Sequence, residues 1–231
     1  MSILIFLAVI TVIVAIHEYG HYVACRAFGI PVASFSVGMG PRLMSRVDKR
    51  GTEWKLAALP IGGYISMDPT AHERAAPWKK IIISAAGPAI NIFTALLIVF
   101  AFGGLSGVIG AFTALGDIYI ATAQAIFKTL TFQGTNDLVG PVGIVSGSSE
   151  ATAIPLSMNV LVLFVSMNIA VAIFNLLPFP PLDGGHIVVS CIEGVFGKQA
   201  ANTVFNILAP VGILGLIVLT IMVLIKDIGT L

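Results

Sequence analysis

The segment His17-Glu18-Tyr19-Gly20-His21 brings together three side chains that could do chemistry. On a helix, residues four apart share one face, so the imidazoles of His17 and His21 can bind one metal ion. Glu18 lies one position further round and can reach a water molecule bound to that ion. The pattern is short, and in many proteins it is only an exposed helix without a metal. Its surroundings therefore decide what it means.

Those surroundings are apolar. Between Ser2 and Ala24 the chain carries no formal charge other than that of Glu18, so the segment is expected to lie in a membrane. Each charged group deep in a bilayer costs about 2.5–3.5 kcal/mol or more, so it needs a partner. Zinc is the partner that this set of side chains predicts, and the alternative is a hydrogen-bonded polar cluster inside a helix bundle.

Composition agrees with a membrane location. Of 231 residues, 57% are hydrophobic and 10% are charged, against about 25% charged in a soluble domain. Nine of the twelve Lys and Arg residues lie between Arg26 and Lys80, where they are mixed with acids and flank apolar runs, so no nucleic-acid binding is indicated. The first basic residue, Arg26, follows the first apolar run, which favours a membrane span with an external N-terminus over a signal peptide.

The predicted fold class is an α-helical integral membrane protein with four transmembrane helices in a single polytopic domain, 1–231. A span needs about 20 residues of helix, and four segments qualify: residues 2–24, 81–102, 156–177 and 204–225. Residues 108–130 are interrupted by Gly110, Asp117, Gln124 and Lys128, and we expect an external interfacial helix there.

The distribution of basic residues predicts the orientation. The positive-inside rule places residues 26–80 in the cytoplasm and both termini outside, in a multi-pass protein of the inner (cytoplasmic) membrane. Residues 32–67 alternate apolar and polar side chains around Gly and Pro, which indicates a membrane-associated β-hairpin region. Residues 56–64 are apolar enough to dip into the membrane, where a strand edge could pair with an extended peptide. The alternative is a packed surface hairpin.

Two histidines leave a catalytic zinc site one protein ligand short. In residues 175–186, three prolines end the third helix and two glycines allow a sharp turn, which contains Asp183. His17 lies about 21 Å along the first helix, towards the inner face, and with four spans the third helix ends at that face too. A fifth crossing would put Asp183 on the opposite side. Asp183 is therefore the expected third ligand, with His186 as its rival, whereas His72 is expected to be solvated.

Two asparagines, Asn91 and Asn175, lie within or at the end of apolar helices. Each could form an interhelical hydrogen bond or bind the substrate backbone or an oxyanion, and the sequence leaves both interpretations open.

Taken together, these segments resemble the site-2 protease family of intramembrane zinc metalloproteases, and most of all its bacterial RseP-type branch. The similarity rests on five blocks in order: residues 17–21, 51–64, 86–91, 140–144 and 175–185. The resemblance implies that His17, His21 and Asp183 bind zinc and that Glu18 is the catalytic base. It also implies that the hairpin with Gly62 and Gly63 presents an unwound strand of a single-span membrane substrate. Anti-sigma factors and remnant signal peptides are the implied substrates, cut by regulated intramembrane proteolysis.

One feature of that branch is absent. Only about forty residues separate Phe102 from Pro141, too few for a PDZ domain of roughly 80 residues, so no PDZ domain is predicted.

Two other functions compete with proteolysis. A metal-ion transporter would need polar residues along several helices, whereas here they gather at one depth. A catalytically inactive membrane adaptor would lack part of the ligand and base set, which is complete.

Overall fold

The structure, a computed structural model, describes residues 3–130 and 156–229. The block at residues 140–144 lies outside them. In chain order the elements are α1 (Ile3–Ala27), β1 (Val32–Val47), β2 (Glu53–Met67), α2 (Pro69–Arg74), α3 (Pro77–Leu130), α4 (Leu156–Asn175), α5 (Asp183–Phe196) and α6 (Lys198–Gly229).

Long apolar helices dominate the fold. Within the described residues, three stretches are long and apolar enough to cross a membrane: Leu4–Ala27, Pro77–Ala111 and Lys198–Val223. They correspond to the first, second and fourth predicted spans. The third prediction corresponds to α4, whose apolar stretch Val160–Asn175 is shorter. A helix-rich fold with three helices long and apolar enough to span a membrane is therefore confirmed, while the count of four spans and their orientation stay predictions.

Helix α3 joins two segments that the sequence predicts as separate helices, 81–102 and 108–130. It runs for 54 residues, but Gly104 departs from helical geometry with φ 62° and ψ −161°. Such a positive φ is readily adopted only without a side chain, so the glycine allows two helices to meet at a kink. The helix also begins at Pro77, earlier than predicted, because the fixed φ of proline suits a first helical turn.

Strands β1 and β2 form one sheet, as the alternating pattern predicts. They pair antiparallel from Val32↔Met67 to Val37↔Gly63 and again from Arg42↔Ala57 to Val47↔Glu53. Residues 34–37 also pair with residues 53–56, and because both residue numbers rise together this central pair runs parallel. Both strands therefore bend, and the sheet contains four segments in the order 44–47, 53–56, 34–37 and 63–66. Among the strand pairings of the described residues, segment 63–66 is an outer edge.

The sheet lies along α1. The rings of Tyr22 and Trp54 pack edge to face with centroids 5.1 Å apart, and Thr11 Oγ1 lies 2.6 Å from the carbonyl oxygen of Pro60. Thr11 precedes the end of α1 by about 24 Å of helix. The hairpin therefore extends alongside α1 over most of the helix. That residues 56–64 dip into the membrane there stays a prediction.

Two contacts bring helices α3 and α5 close to α1. A Cβ atom at Gly20 would overlap the backbone carbonyl of Ala86, so α1 and α3 approach closely there. At the start of α3, Lys80 Nζ donates to both carboxylate oxygens of Glu193 at 2.8 Å, which ties α5 to α3. Helices α1, α3 and α5 thus converge.

Candidate metal centre

Helix α1 carries the two histidines on one face, as their spacing predicts. Both side chains are buried, with 6% of His17 and 8% of His21 exposed. Their Nε2 atoms lie 3.2 Å apart. The two imidazole nitrogens therefore point to one place beside α1, which is an otherwise apolar helix.

Asp183 meets this pair from α5. Its Oδ2 atom lies 3.0 Å from His17 Nε2 and 3.3 Å from His21 Nε2. The predicted turn is wrong in detail, because Asp183 is the first residue of α5. An acidic side chain in a first helical turn is favoured by the helix dipole, and the preceding prolines end the irregular segment.

The two glycines after Asp183 fix where that helix begins. A Cβ at Gly184 would overlap the carbonyl oxygen of Leu176, and one at Gly185 would overlap the backbone of Pro180. Only residues without a side chain allow α5 to pack this closely on the chain that leads into it. The carboxylate is thereby held against α1.

The three groups fit a zinc ion. Within the described residues they form the one cluster of at least three His, Cys, Asp or Glu ligand atoms that could hold a metal. Zinc bonds of about 2.0–2.2 Å in a tetrahedron separate neighbouring ligand atoms by roughly 3.3–3.6 Å. The observed separations of 3.0, 3.2 and 3.3 Å are close to that range. Two imidazoles and one carboxylate, with a fourth position free, are typical of a catalytic rather than a structural zinc site.

Helix α3 contacts the far side of both imidazoles. His21 Nδ1 donates to the carbonyl oxygen of Ile83 at 2.7 Å, which leaves its Nε2 free to bind a metal. The side-chain amide of Asn91, fully buried, lies 3.3 Å from His17 Nδ1. Asn91 of α3 thus contacts His17 of α1, which matches the interhelical hydrogen bond that the sequence left open as one of two interpretations.

Glu18 opens onto a cavity of about 310 Å³ that the three predicted ligands also line. Ile65 and Met67, at the outer edge of the sheet, form part of its wall. A Cβ at Gly63 would lie 3.5 Å from Glu18 Cγ, so this strand runs directly beside the predicted base. The cavity therefore brings the predicted base, the predicted ligands and a strand edge together.

The other two residues predicted to bind substrate, Asn175 and Gly62, lie in different surroundings. Asn175 lines the cavity, although its amide nitrogen donates to Val171 O at 3.0 Å. Gly62, with φ 79°, faces Met39 instead. Their roles in substrate binding stay predictions.

Two further histidines line the cavity, His72 and His186. The expectation of a solvated His72 is wrong, because this side chain of α2 is half-buried in the wall of the cavity. Burial lowers the pKa of both histidines, which favours their neutral forms. His186, the rival ligand, is not part of the three-residue cluster.

Burial alone would raise the pKa of Asp183, but hydrogen bonds to His17 and His21 lower it to about 2, so the carboxylate is ionised at neutral pH.

Comparison with known proteins identifies relatives of this chain. The model of Peptidase family M50 matches residues 5–219. A protein of Brucella suis is 36% identical over 128 residues, which cover 46% of this chain and 34% of the relative. A protein of Pasteurella multocida is 43% identical over 107 residues, 41% of this chain and 24% of the relative. One of Neisseria meningitidis is 40% identical over 110 residues, with 42% and 24% covered.

All three relatives carry the provisional name of zinc metalloprotease. The matched part spans about a third or less of their length. The family match, in contrast, includes α1, the sheet, α3 and the segment that carries Asp183. It confirms the resemblance noted from the sequence blocks. The chain belongs to Peptidase family M50, a zinc-dependent family of metallopeptidases.

Proposed function

We propose that this protein is an intramembrane zinc metalloprotease that hydrolyses peptide bonds in the transmembrane segments of single-span membrane proteins. The observation that carries the proposal is the triangle formed by the buried His17 and His21 and the partly buried Asp183, with Glu18 beside it in a helix apolar enough to span a membrane. A transporter would be expected to repeat such groups along a path. Within the described residues they form a single cluster.

In this proposal His17, His21 and Asp183 hold the zinc ion. When bound, the ion lowers the pKa of a water molecule towards neutrality and polarises a carbonyl group. Glu18 accepts a proton from the attacking water and then donates it to the leaving amine, which is general base and acid catalysis by one carboxyl group. Because Glu18 shares the cavity with the three ligands, it has access to both partners of that transfer.

The outer edge of the sheet supplies a place for the substrate. A transmembrane helix satisfies its carbonyl groups internally, so a segment must unwind before it can be attacked. An unwound segment can pair with an exposed strand edge through backbone hydrogen bonds. Segment 63–66 is such an edge, and Gly63 brings it against Glu18. Asn175 and Gly62 are the remaining candidates for contacts to that strand.

The proposed setting is the inner membrane, with both termini outside and the active site towards the cytoplasm. The basic residues between Arg26 and Lys80 support this orientation. By family resemblance, we propose anti-sigma factors and remnant signal peptides as the substrate class.

The Glu18→Gln variant tests the mechanism in detergent with a single-span peptide substrate. We expect stoichiometric zinc to be retained and cleavage to fall about 10²–10⁴-fold, the usual contribution of general acid–base catalysis. Glu73→Gln is the matched control, because this exposed glutamate of α2 lies outside the cavity. Cleavage by Glu18→Gln at the wild-type rate would refute the mechanism, and a wild-type protein that binds no zinc would refute the proposal.

A further inference from the structure

We infer that Asn91 is a positioning residue for the metal centre: its side-chain oxygen accepts the Nδ1–H of His17 and so directs the Nε2 lone pair of that histidine at the metal. The inference rests on the metal-binding part of the proposed function and not on proteolysis. It assigns Asn91 a hydrogen bond to a metal ligand, on the side of the imidazole away from the metal, instead of a contact with substrate.

A neutral imidazole has one N–H group and one lone pair, so a metal bound at Nε2 requires the hydrogen on Nδ1. That hydrogen then needs an acceptor. His21 meets the requirement, because its Nδ1–H donates to Ile83 O at 2.7 Å. For His17, the group found at Nδ1 is the amide of Asn91, at 3.3 Å.

The amide is placed with its nitrogen towards Nδ1. In that orientation the N–H of Asn91 needs the Nδ1 lone pair, so the hydrogen of His17 would move to Nε2 and block metal binding. The oxygen and nitrogen of an amide have nearly the same shape, and their assignment follows from the hydrogen bonds that they make. Exchanging them puts the carbonyl oxygen at Nδ1. The exchange breaks no hydrogen bond of that oxygen, because Asn91 Oδ1 is buried without a partner in the described structure.

The spacing on α3 supports the same conclusion. Ile83, Gly87 and Asn91 are four residues apart and share one helical face. Between the two acceptors, Gly87 leaves the space in which the imidazoles lie, since a Cβ there would overlap His21 Nε2. One face of α3 thus contacts both imidazole rings: the backbone carbonyl of Ile83 lies at Nδ1 of His21, and the side-chain amide of Asn91 lies at Nδ1 of His17.

Zinc affinity, measured by competition with a chelator, tests the inference without any activity assay. Asn91→Leu removes the acceptor, and we expect zinc to bind about 10–100-fold more weakly, as when other hydrogen-bond partners of metal ligands are removed. Asn91→Asp keeps an acceptor and cannot donate, so its affinity should stay within about threefold of wild type. Asn168→Leu is the matched control, because Asn168 is also fully buried with an unpartnered Oδ1 but donates to Phe164 O in α4.

NMR of zinc-loaded, ¹⁵N-histidine-labelled protein reads the His17 Nδ1–H group directly. In wild type and in Asn91→Asp we expect a downfield, slowly exchanging His17 Nδ1–H proton, like that of His21, which donates to Ile83 O. If Asn91→Leu does not fold, the wild-type spectrum still decides. The inference is overturned by wild-type affinity in a folded Asn91→Leu, or by a His17 Nδ1–H proton in the zinc-loaded wild type that lacks the downfield shift of its His21 counterpart. A wild type that binds no zinc would refute the proposed metal site itself.

Discussion

Gly87 of α3 faces the imidazole of His21 with no room between them for a methyl group. A Cβ at this position would overlap His21 Nε2 and would lie 2.8 Å from His17 Nε2. Helices α1 and α3 therefore lie just far enough apart for the two imidazole rings to fit against a backbone that carries no side chain. The geometry of the candidate metal centre therefore requires a residue without a side chain at position 87.

Gly87→Ala should weaken zinc binding about tenfold or more, because the added methyl group must displace the imidazole nitrogens that we propose as zinc ligands. The measurement is chelator competition, with circular dichroism to confirm that the helices are retained. Gly103→Ala on the same helix is the control, since a Cβ there meets no atom of the described residues within 4 Å. Equal zinc affinity in the two variants would show that the ligands have more freedom than these contacts imply.

Lys80→Met should lower the free energy of unfolding by about 3–5 kcal/mol, because it leaves the carboxylate of Glu193 buried without its partner. Only 8% of the Lys80 side chain and 15% of the Glu193 side chain are exposed. The double variant Lys80→Met/Glu193→Leu should recover most of the loss, since it removes both buried charges. Denaturant titration of the solubilised protein measures these differences.

A second ion pair provides the control for that experiment. Lys198 and Glu73 lie 2.6 Å apart, with 47% and 61% of their side chains exposed. Lys198→Met should cost less than about 1 kcal/mol, because solvent screens exposed pairs. A loss of the same size for both lysine variants would mean that burial of the Lys80 pair is not what matters.

His72→Gln should reduce the loss of stability on acidification. Burial, with the nearby charges of Lys80 and His186, lowers the pKa of His72 from its ordinary value of 6.5. The unfolded chain therefore takes up this proton before the folded protein does, so stability is complete above pH 6.5 and is lost as the pH falls below it. The melting temperatures of metal-free wild type and variant, compared between about pH 7.5 and about pH 5.5, should fall less in the variant. Parallel decreases would contradict the prediction.

Much of the candidate site follows from local spacing and from topology. His17, Glu18 and His21 share one short stretch of helix, so their grouping needs no knowledge of the rest of the fold. Asp183 is more distant, and the sequence identified it because the third predicted helix must end on the side of the membrane where His17 lies. The structure brings its carboxylate to both imidazoles.

Other parts could not be predicted because they depend on how elements pack. The acceptor of His21 is a backbone carbonyl, Ile83 O, which any residue type would supply. His72 lies in a polar segment, and only the structure shows that it is half-buried in the wall of the cavity. The position of segment 63–66 at the sheet edge depends on two bends in strands that the alternating pattern treats as straight.

The separation of 166 residues between His17 and Asp183 has a consequence for the newly made chain. At roughly 5–20 residues per second, translation from the first of these positions to the second takes about 8–33 s. Throughout that interval the first helix already carries two imidazoles and a carboxyl group, without the aspartate that we propose as the third metal ligand. In this proposal, the metal site of a nascent chain stays incomplete until Asp183 has been synthesised.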